Sequence, residues 1–217
     1  MKIAVLAGVG AAAGALGMAI ALRPKWERWG ATDEEMTRRL PGDYGDPTNA
    51  TSNHAVTIDA PMGYAWQWLV QIGQDRAGFY SYDFLENLVR SDIHNRFEIR
   101  PEWQRMEKGD FIRSVKRGYM GGRVPEDTQG WRVADVEPGH WFVLEGWGTF
   151  YLEPIDGQST RFIIRSRPGE LTVPKPLELP FSLLHFLMER KMMLTIKRLA
   201  EHSWQEKELR AEVALTP

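Results

Sequence analysis

Thr160-Arg161-Phe162-Ile163-Ile164-Arg165-Ser166-Arg167, and further on Phe181-Ser182-Leu183-Leu184-His185-Phe186-Leu187-Met188-Glu189-Arg190-Lys191-Met192, carry the two periodicities that decide the fold. In the first stretch Phe162 and Ile164 point one way while Arg161, Arg165 and Arg167 point the other. That period of two is expected of a half-buried antiparallel strand. In the second, Phe181, Leu184, Met188, Met192, Ile196 and Leu199 recur every three or four residues, predicting a long amphipathic helix from about Phe181 to Glu208. Glu189, Arg190, Lys197 and Glu201 fall on its polar face, and Pro174 to Pro180 reads as a Pro-rich bridge leading into it.

Upstream of the strand the same period of two predicts further strands at Asp110 to Lys116, Trp131 to Glu137, Trp141 to Glu145 and Thr149 to Glu153, separated by Gly118 to Gly122, Pro138-Gly139, Gly146 to Gly148 and Asp156-Gly157. His54 to Asp59 alternates as a first strand and ends at Pro61. Two short helices are predicted between it and the later strands. One spans Tyr64 to Ile72, with Ala65, Trp68, Leu69 and Ile72 at helical spacing, and the other spans Phe79 to Val89. A sheet that must bury one face and a single long helix with one apolar stripe satisfy each other when the sheet wraps the helix. The expected class is therefore α+β, a helix-grip antiparallel sheet around a long C-terminal helix, with the domain at residues 52–208 and a tail at 209–217.

Ile3 to Leu22 is a run of twenty residues without a charge, long enough at about 1.5 Å per residue to cross a hydrocarbon core. Residues 1–22 are accordingly expected to be a single-pass transmembrane anchor, with Ala19-Ile20-Ala21 leaving a cleaved signal peptide as the alternative. Arg23, Lys25 and Arg28 follow the run, against Lys2 and the amino group before it, and this places the globular part on the cytoplasmic rather than the periplasmic side. Residues 23–51 read as a juxtamembrane connector, with a short helix from Thr32 to Leu40 opened by a Thr32/Glu35 capping box, and Pro41-Gly42 and Asp46-Pro47 as breakers.

Composition narrows the chemistry. A net charge of -2 in 217 residues gives no basic footprint for nucleic acid. The absence of cysteine excludes disulfides, thiolate nucleophiles and cysteine metal sites. His94, Glu98 and Glu102 have helical spacing, but Pro101 interrupts a helix there, so no metal site is assigned. Ser81, Ser91, Asp92 and His94 lack a nucleophile elbow, and Gly118, Gly121 and Gly122 lack the spacing of a phosphate loop. No cofactor and no catalytic residue is assigned.

Ala60-Pro61, the stretch Trp66 to Asp83, Ile93-His94-Asn95, Pro101-Glu102-Trp103-Gln104 and Met188 to Met192 together resemble a bacterial, membrane-anchored branch of the SRPBCC group, the START/Bet v 1/polyketide-cyclase-like superfamily. The likeness covers about residues 32–203 and implies the helix-grip fold and a cavity for hydrophobic molecules. On that basis Gln71, Asp75, Arg76, Tyr80 and Tyr82 are candidates for the polar end of a pocket. They equally suit a structural role, with Asp75 or Asp83 pairing Arg76 between the two helices. Trp131, Trp141, Trp147, Phe150, Phe162, Met188 and Met192 are candidates for its lining, if they do not simply interdigitate into a solid core. The functional expectation is a non-enzymatic module binding a hydrophobic small molecule or lipid. The alternatives are an accessory subunit of a larger integral membrane protein complex, and a cyclase or dehydratase using Asp75, Asp83 or His94.

Overall fold

A computed structural model describes residues 17–43, 46–167 and 174–215. Helix α1 is described over residues 17–27, followed by α2 (Asp33–Thr37), β1 (Ser52–Ile58), α3 (Met62–Leu69) and α4 (Asp83–Asn87). Strands β2 (Phe111–Arg113), β3 (Gly130–Glu137), β4 (Trp141–Leu144), β5 (Gly148–Pro154) and β6 (Thr160–Ser166) come next, and α5 (Lys175–Leu215) closes the chain. The six strands form one antiparallel sheet in the order β1-β6-β5-β4-β3-β2. The chain is α+β, and its long C-terminal helix lies against this sheet and α3 as a helix-grip arrangement requires.

The strand period sets which residues meet α5. On β6 Phe162 and Ile164 are buried, on β5 Phe150 and Leu152, on β4 Phe142 and Leu144, and they share one core with Met192, Met193, Ile196 and Ala200 of α5. Each such side chain, fully removed from water, contributes about 1.5–3 kcal/mol. The helix itself begins at Lys175, so most of the expected Pro-rich bridge is helical, and it continues past Glu208 to Leu215. Pro180 is tolerated because it sits near the start, where the ladder of backbone hydrogen bonds has only begun and its missing N–H removes a single bond. The predicted stripe holds from Met192 onward, whereas Phe181 and Leu184 are 45% and 41% exposed.

The other face of the sheet departs furthest from expectation. Arg165 is fully buried, as are Ile163 and Asn53, so β6 is covered on both sides rather than half-buried. The cover is the segment expected as a connector. Trp26 and Leu40 are buried, and Leu40 packs with Ala55 and Ile163. The Trp29 carbonyl accepts from Ala55 N at 3.0 Å. Gly30 permits this approach, for a Cβ there would lie 2.1 Å from the Ala55 carbonyl oxygen. The expected capping box is present, Thr32 N donating to Glu35 Oε2 at 2.7 Å and Glu35 N to Thr32 Oγ1 at 3.2 Å. Glu35 also receives Arg161 Nε at 2.7 Å, Asp43 pairs with both Arg165 and Arg167, and Arg38 clamps Glu153. The arginine row that reads as a solvent face is thus neutralised by acids from the strap laid across it.

Of the apolar run Ile3 to Leu22, residues 3–16 lie outside the described residues, and with them most of the expected transmembrane anchor. Among the described residues no helix is long and apolar enough to cross a membrane.

Candidate functional site

The polar stretch after α3 folds into a tight loop because Gly73 and Gly78 pair across it, Gly73 N donating to the Gly78 carbonyl at 2.9 Å and Gly78 N returning the bond. Gly78 has a φ of 75°, and a Cβ there would meet Asn95 Oδ1 at 2.7 Å. From this loop Gln71, fully buried, uses all of its amide. Its Nε2 donates to Tyr80 Oη at 2.7 Å and to the Glu98 carbonyl at 2.9 Å. Its Oε1 accepts from Gln104 Nε2 at 3.1 Å and from Arg100 N at 3.4 Å.

Arg76 Nη1 donates to the Val70 carbonyl at the end of α3, and Nη2 donates to the Arg105 carbonyl. Burial draws its pKa below the ordinary arginine value, against the opposing pull of Asp110 and Asp75. Tyr80 is fully buried, and burial pushes its hydroxyl pKa up. Asp75 approaches Arg113 at 3.8 Å. Tyr82 stands at the start of α4 beside Phe84 and beneath Lys191. The structure therefore joins Gln71 to Tyr80, spends Arg76 on backbone carbonyls and leaves Tyr82 on the surface.

The aromatic candidates divide by face. Trp141 alternates with Phe142 on β4 and belongs to the outer face, so it cannot line a space under α5. Trp131 and Trp147 pack at 4.5 Å between centroids, with Phe79 against both, and Trp147 meets Phe150 at 5.0 Å. Phe150, Phe162 and Met192 are core residues, and Met188 is half-buried. At this place, where a cavity is expected, the side chains interdigitate around a charged group that the sequence reading assigns to the polar face of the helix. Glu189 is 2% exposed and His54 is 1%. Glu189 Oε1 meets His54 Nδ1 at 2.5 Å, and its Oε2 accepts from Trp147 Nε1 at 3.0 Å and from Ser166 Oγ at 3.4 Å.

His54 Nε2 lies 2.7 Å from the Trp26 carbonyl, which can only accept. The ring therefore donates there, which leaves its second nitrogen facing the Glu189 carboxyl. Burial raises the Glu189 pKa, but the charges of His54 and His185 and the hydrogen bonds from His54 and Trp147 outweigh it and hold the carboxyl below its usual range. The spacing of His185 and Glu189, four apart on a helix, is the one sequence signal that could have pointed to this cluster.

Open space lies elsewhere. A groove of about 610 Å3 runs between the C-terminal half of α5, Trp68 of α3 and the loop at Phe97 to Ile99. Trp68, Phe97, Ile99 and Leu199 provide apolar surface, while Glu98, Arg198, His202, Ser203 and Glu206 provide polar groups. Trp68 is fixed by a hydrogen bond from Nε1 to Ser203 Oγ at 3.2 Å. Phe97 is 57% exposed, and its ring stands 6.2 Å from that of Tyr80. The volume falls within the roughly 300–1,000 Å3 of small-molecule sites. Arg198, Leu199, His202, Ser203 and Glu206 lie on one helical face, a pattern visible in the sequence but without any sign there of what it faces.

The acid and base candidates are placed outside the groove. Asp83 accepts from Asn95 N at 3.1 Å and from Asn95 Nδ2, and the exposed His94 lies 3.3 Å from Asp92. Among the described residues no three His, Asp or Glu side chains converge as a metal site.

No protein-family profile matches the chain, and no curated protein does. Among solved structures it is similar to CalC, a self-sacrificing resistance protein from Micromonospora echinospora, at 12% identity over 71% of this chain and 94% of that one, with a TM-score of 0.40. It is also similar to a conserved protein of unknown function from Enterococcus faecalis, at 13% identity over 73% of this chain and 84% of that one, with a TM-score of 0.37.

Proposed function

We propose that this chain is a membrane-tethered helix-grip module of the START/Bet v 1-like kind that binds a hydrophobic small molecule or lipid in the α5 groove without transforming it. The observation that carries the reading is the groove itself: Trp68, Ile99 and Leu199 offer apolar surface while Arg198, His202 and Glu206 offer charged or polar groups for a headgroup. The sequence stretches from Ala60 to Gln104 and from Met188 to Met192 support the family reading, and the uncharged run Ile3 to Leu22 supports a single-pass tether. Arg23, Lys25 and Arg28 favour a cytoplasmic globular part. Asp75, Asp83 and His94, the acid and base candidates for a cyclase or dehydratase, do not line the groove, and the carboxylates and histidine that do are solvent-exposed and paired: Glu98 with Arg100, and Glu206 near His202 at 3.9 Å.

The test is native mass spectrometry of the full-length chain extracted from its own membrane in mild detergent. The reading expects an adduct of lipid or comparable mass on the chain, lost when Leu199→Glu and Phe97→Ala are combined. Stoichiometric membrane subunits with no small molecule would instead make the chain an assembly component.

A further inference from the structure

All but four of the large apolar side chains exposed among the described residues lie on α1, on α4 with its following loops, or on the N-terminal half of α5. On α5 these are Leu177, Phe181, Leu183, Leu184 and Leu187, between 36% and 55% exposed. Helical spacing places them on one broad face, opposite Ser182 and Phe186. Those two face the protein: Trp26 Nε1 donates to Ser182 Oγ at 3.1 Å, and Trp29 packs on Phe186 at 6.2 Å between centroids. One turn past Leu187 the same face reaches Lys191, which lies over Tyr82 of α4, so α4 closes the apolar strip at its inner end.

The strip is far more apolar than a solvent-facing helix tolerates. From Leu177 to Met188 the only carboxylate is Glu178, and no Lys or Arg occurs; the basic pair Arg190-Lys191 then follows at once. Lys25 and Arg28, both exposed, stand at the end of α1, which is bonded to α5 here through Trp26 and Ser182, and Arg28 also pairs with the exposed Asp33. Met18, Ile20 and Leu22 of α1 are exposed as well, and they are the last part of the uncharged run that begins at Ile3.

We infer that the N-terminal half of α5 is a second membrane contact, lying in the bilayer interface beside the N-terminal tether with Leu177, Phe181, Leu184 and Leu187 among the acyl chains and Lys25, Arg28, Arg190 and Lys191 at anionic headgroups. Residues 175–188 extend only about 20 Å, too short to span a bilayer and suited to lying in its surface. Three features select lipid as the occupant. The apolar face adjoins the chain's own uncharged segment, its border carries Lys25, Arg28, Arg190 and Lys191 against Asp33, and its α5 portion is almost free of the carboxylates that anionic headgroups would repel. The inference deepens the tethered reading and rests on it for the orientation of the domain.

The chain has no cysteine, so single labels can be introduced at will. Full-length protein carrying Leu177→Cys, Leu184→Cys, Ile20→Cys or Gln158→Cys is labelled with an environment-sensitive fluorophore and reconstituted into vesicles of phosphatidylcholine and phosphatidylglycerol. Labels at positions 177 and 184 are expected to shift to the blue and to lose emission to nitroxide-bearing phospholipid, while the label at 158, in the distant β5–β6 turn, does neither. Unshifted emission at 177 and 184 overturns the inference. So does a blue shift without quenching by lipid, which would mean that a second copy or another subunit covers the face. Quenching at 20 without quenching at 184 leaves the tether standing and removes the second contact. Quenching at 184 without quenching at 20 keeps the contact and removes the tether.

Discussion

Replacing Glu189 separates the electrostatic from the steric part of the bond between α5 and the sheet. The carboxylate receives His54 at 2.5 Å and Trp147 at 3.0 Å in a site where both acid and imidazole are almost wholly buried. Glu189→Gln preserves volume but exchanges a charge-assisted bond for a neutral one, a loss of about 1–2 kcal/mol. Glu189→Leu leaves His54 Nδ1 and Trp147 Nε1 buried without partners, and breaking a buried pair in this way costs about 3–5 kcal/mol. At about 2–4 °C per kcal/mol for a chain of this length, thermal unfolding followed by circular dichroism at neutral pH should fall by roughly 2–8 °C for Gln and roughly 6–20 °C for Leu.

Acid gives a second signature. The folded Glu189 pKa lies below its ordinary 4.5, so the unfolded chain binds its proton first. The stabilisation is fully present above the unfolded value and is lost as pH falls through the folded one. The gap between wild type and Glu189→Leu should therefore close on acidification below that ordinary value. A Glu189→Leu protein that melts with wild type at neutral pH, or a gap unchanged into strong acid, would show that the His54–Glu189 pair does not hold α5 to the sheet.

Asp43→Ala strands the fully buried Arg165 guanidinium and should cost about 3–5 kcal/mol in denaturant unfolding, with much of the loss recovered when Arg165→Met is added. Glu86 titrates with the opposite sign to Glu189. Burial, with help from Asp83, pushes its pKa up to about 7, so the folded state binds the extra proton and stability falls as pH rises from the ordinary 4.5 toward that value. Glu86→Gln should raise the melting temperature at neutral pH and flatten its pH dependence. Tyr80→Phe removes the Gln71 bond and should cost about 1 kcal/mol in the same assay while leaving retained ligand unchanged, because Tyr80 does not line the groove.

The inward half of the sheet is legible from alternation alone, since Phe162, Ile164, Phe150 and Leu152 sit where a period of two puts them. The outward half is not, for a row of arginines on alternate positions has the same pattern whether water or Asp43 and Glu35 neutralise it. The partners lie more than a hundred residues away in a segment punctuated by Pro and Gly. Leu184 and Phe181 continue the periodicity of the core stripe beyond the part of α5 that the sheet covers, so spacing cannot report that they are exposed. Gln71, Arg76 and Tyr80 form a polar set whose composition suits a ligand, and only their bonds to Glu98, Val70 and each other reveal that the fold already occupies them. Glu189 and the groove depend on long-range apposition, to which local pattern is blind.

The most direct test of ligand binding is photo-crosslinking of the full-length protein in its native membrane with a diazirine-bearing fatty acid, followed by peptide mapping of the adducts. Label is expected on the groove residues Phe97, Ile99, Leu199 and Ser203, competed by unlabelled fatty acid and distinct from uncompeted label on Leu177 to Leu187. Label confined to the bilayer-facing strip, with nothing on the groove, would contradict ligand binding there.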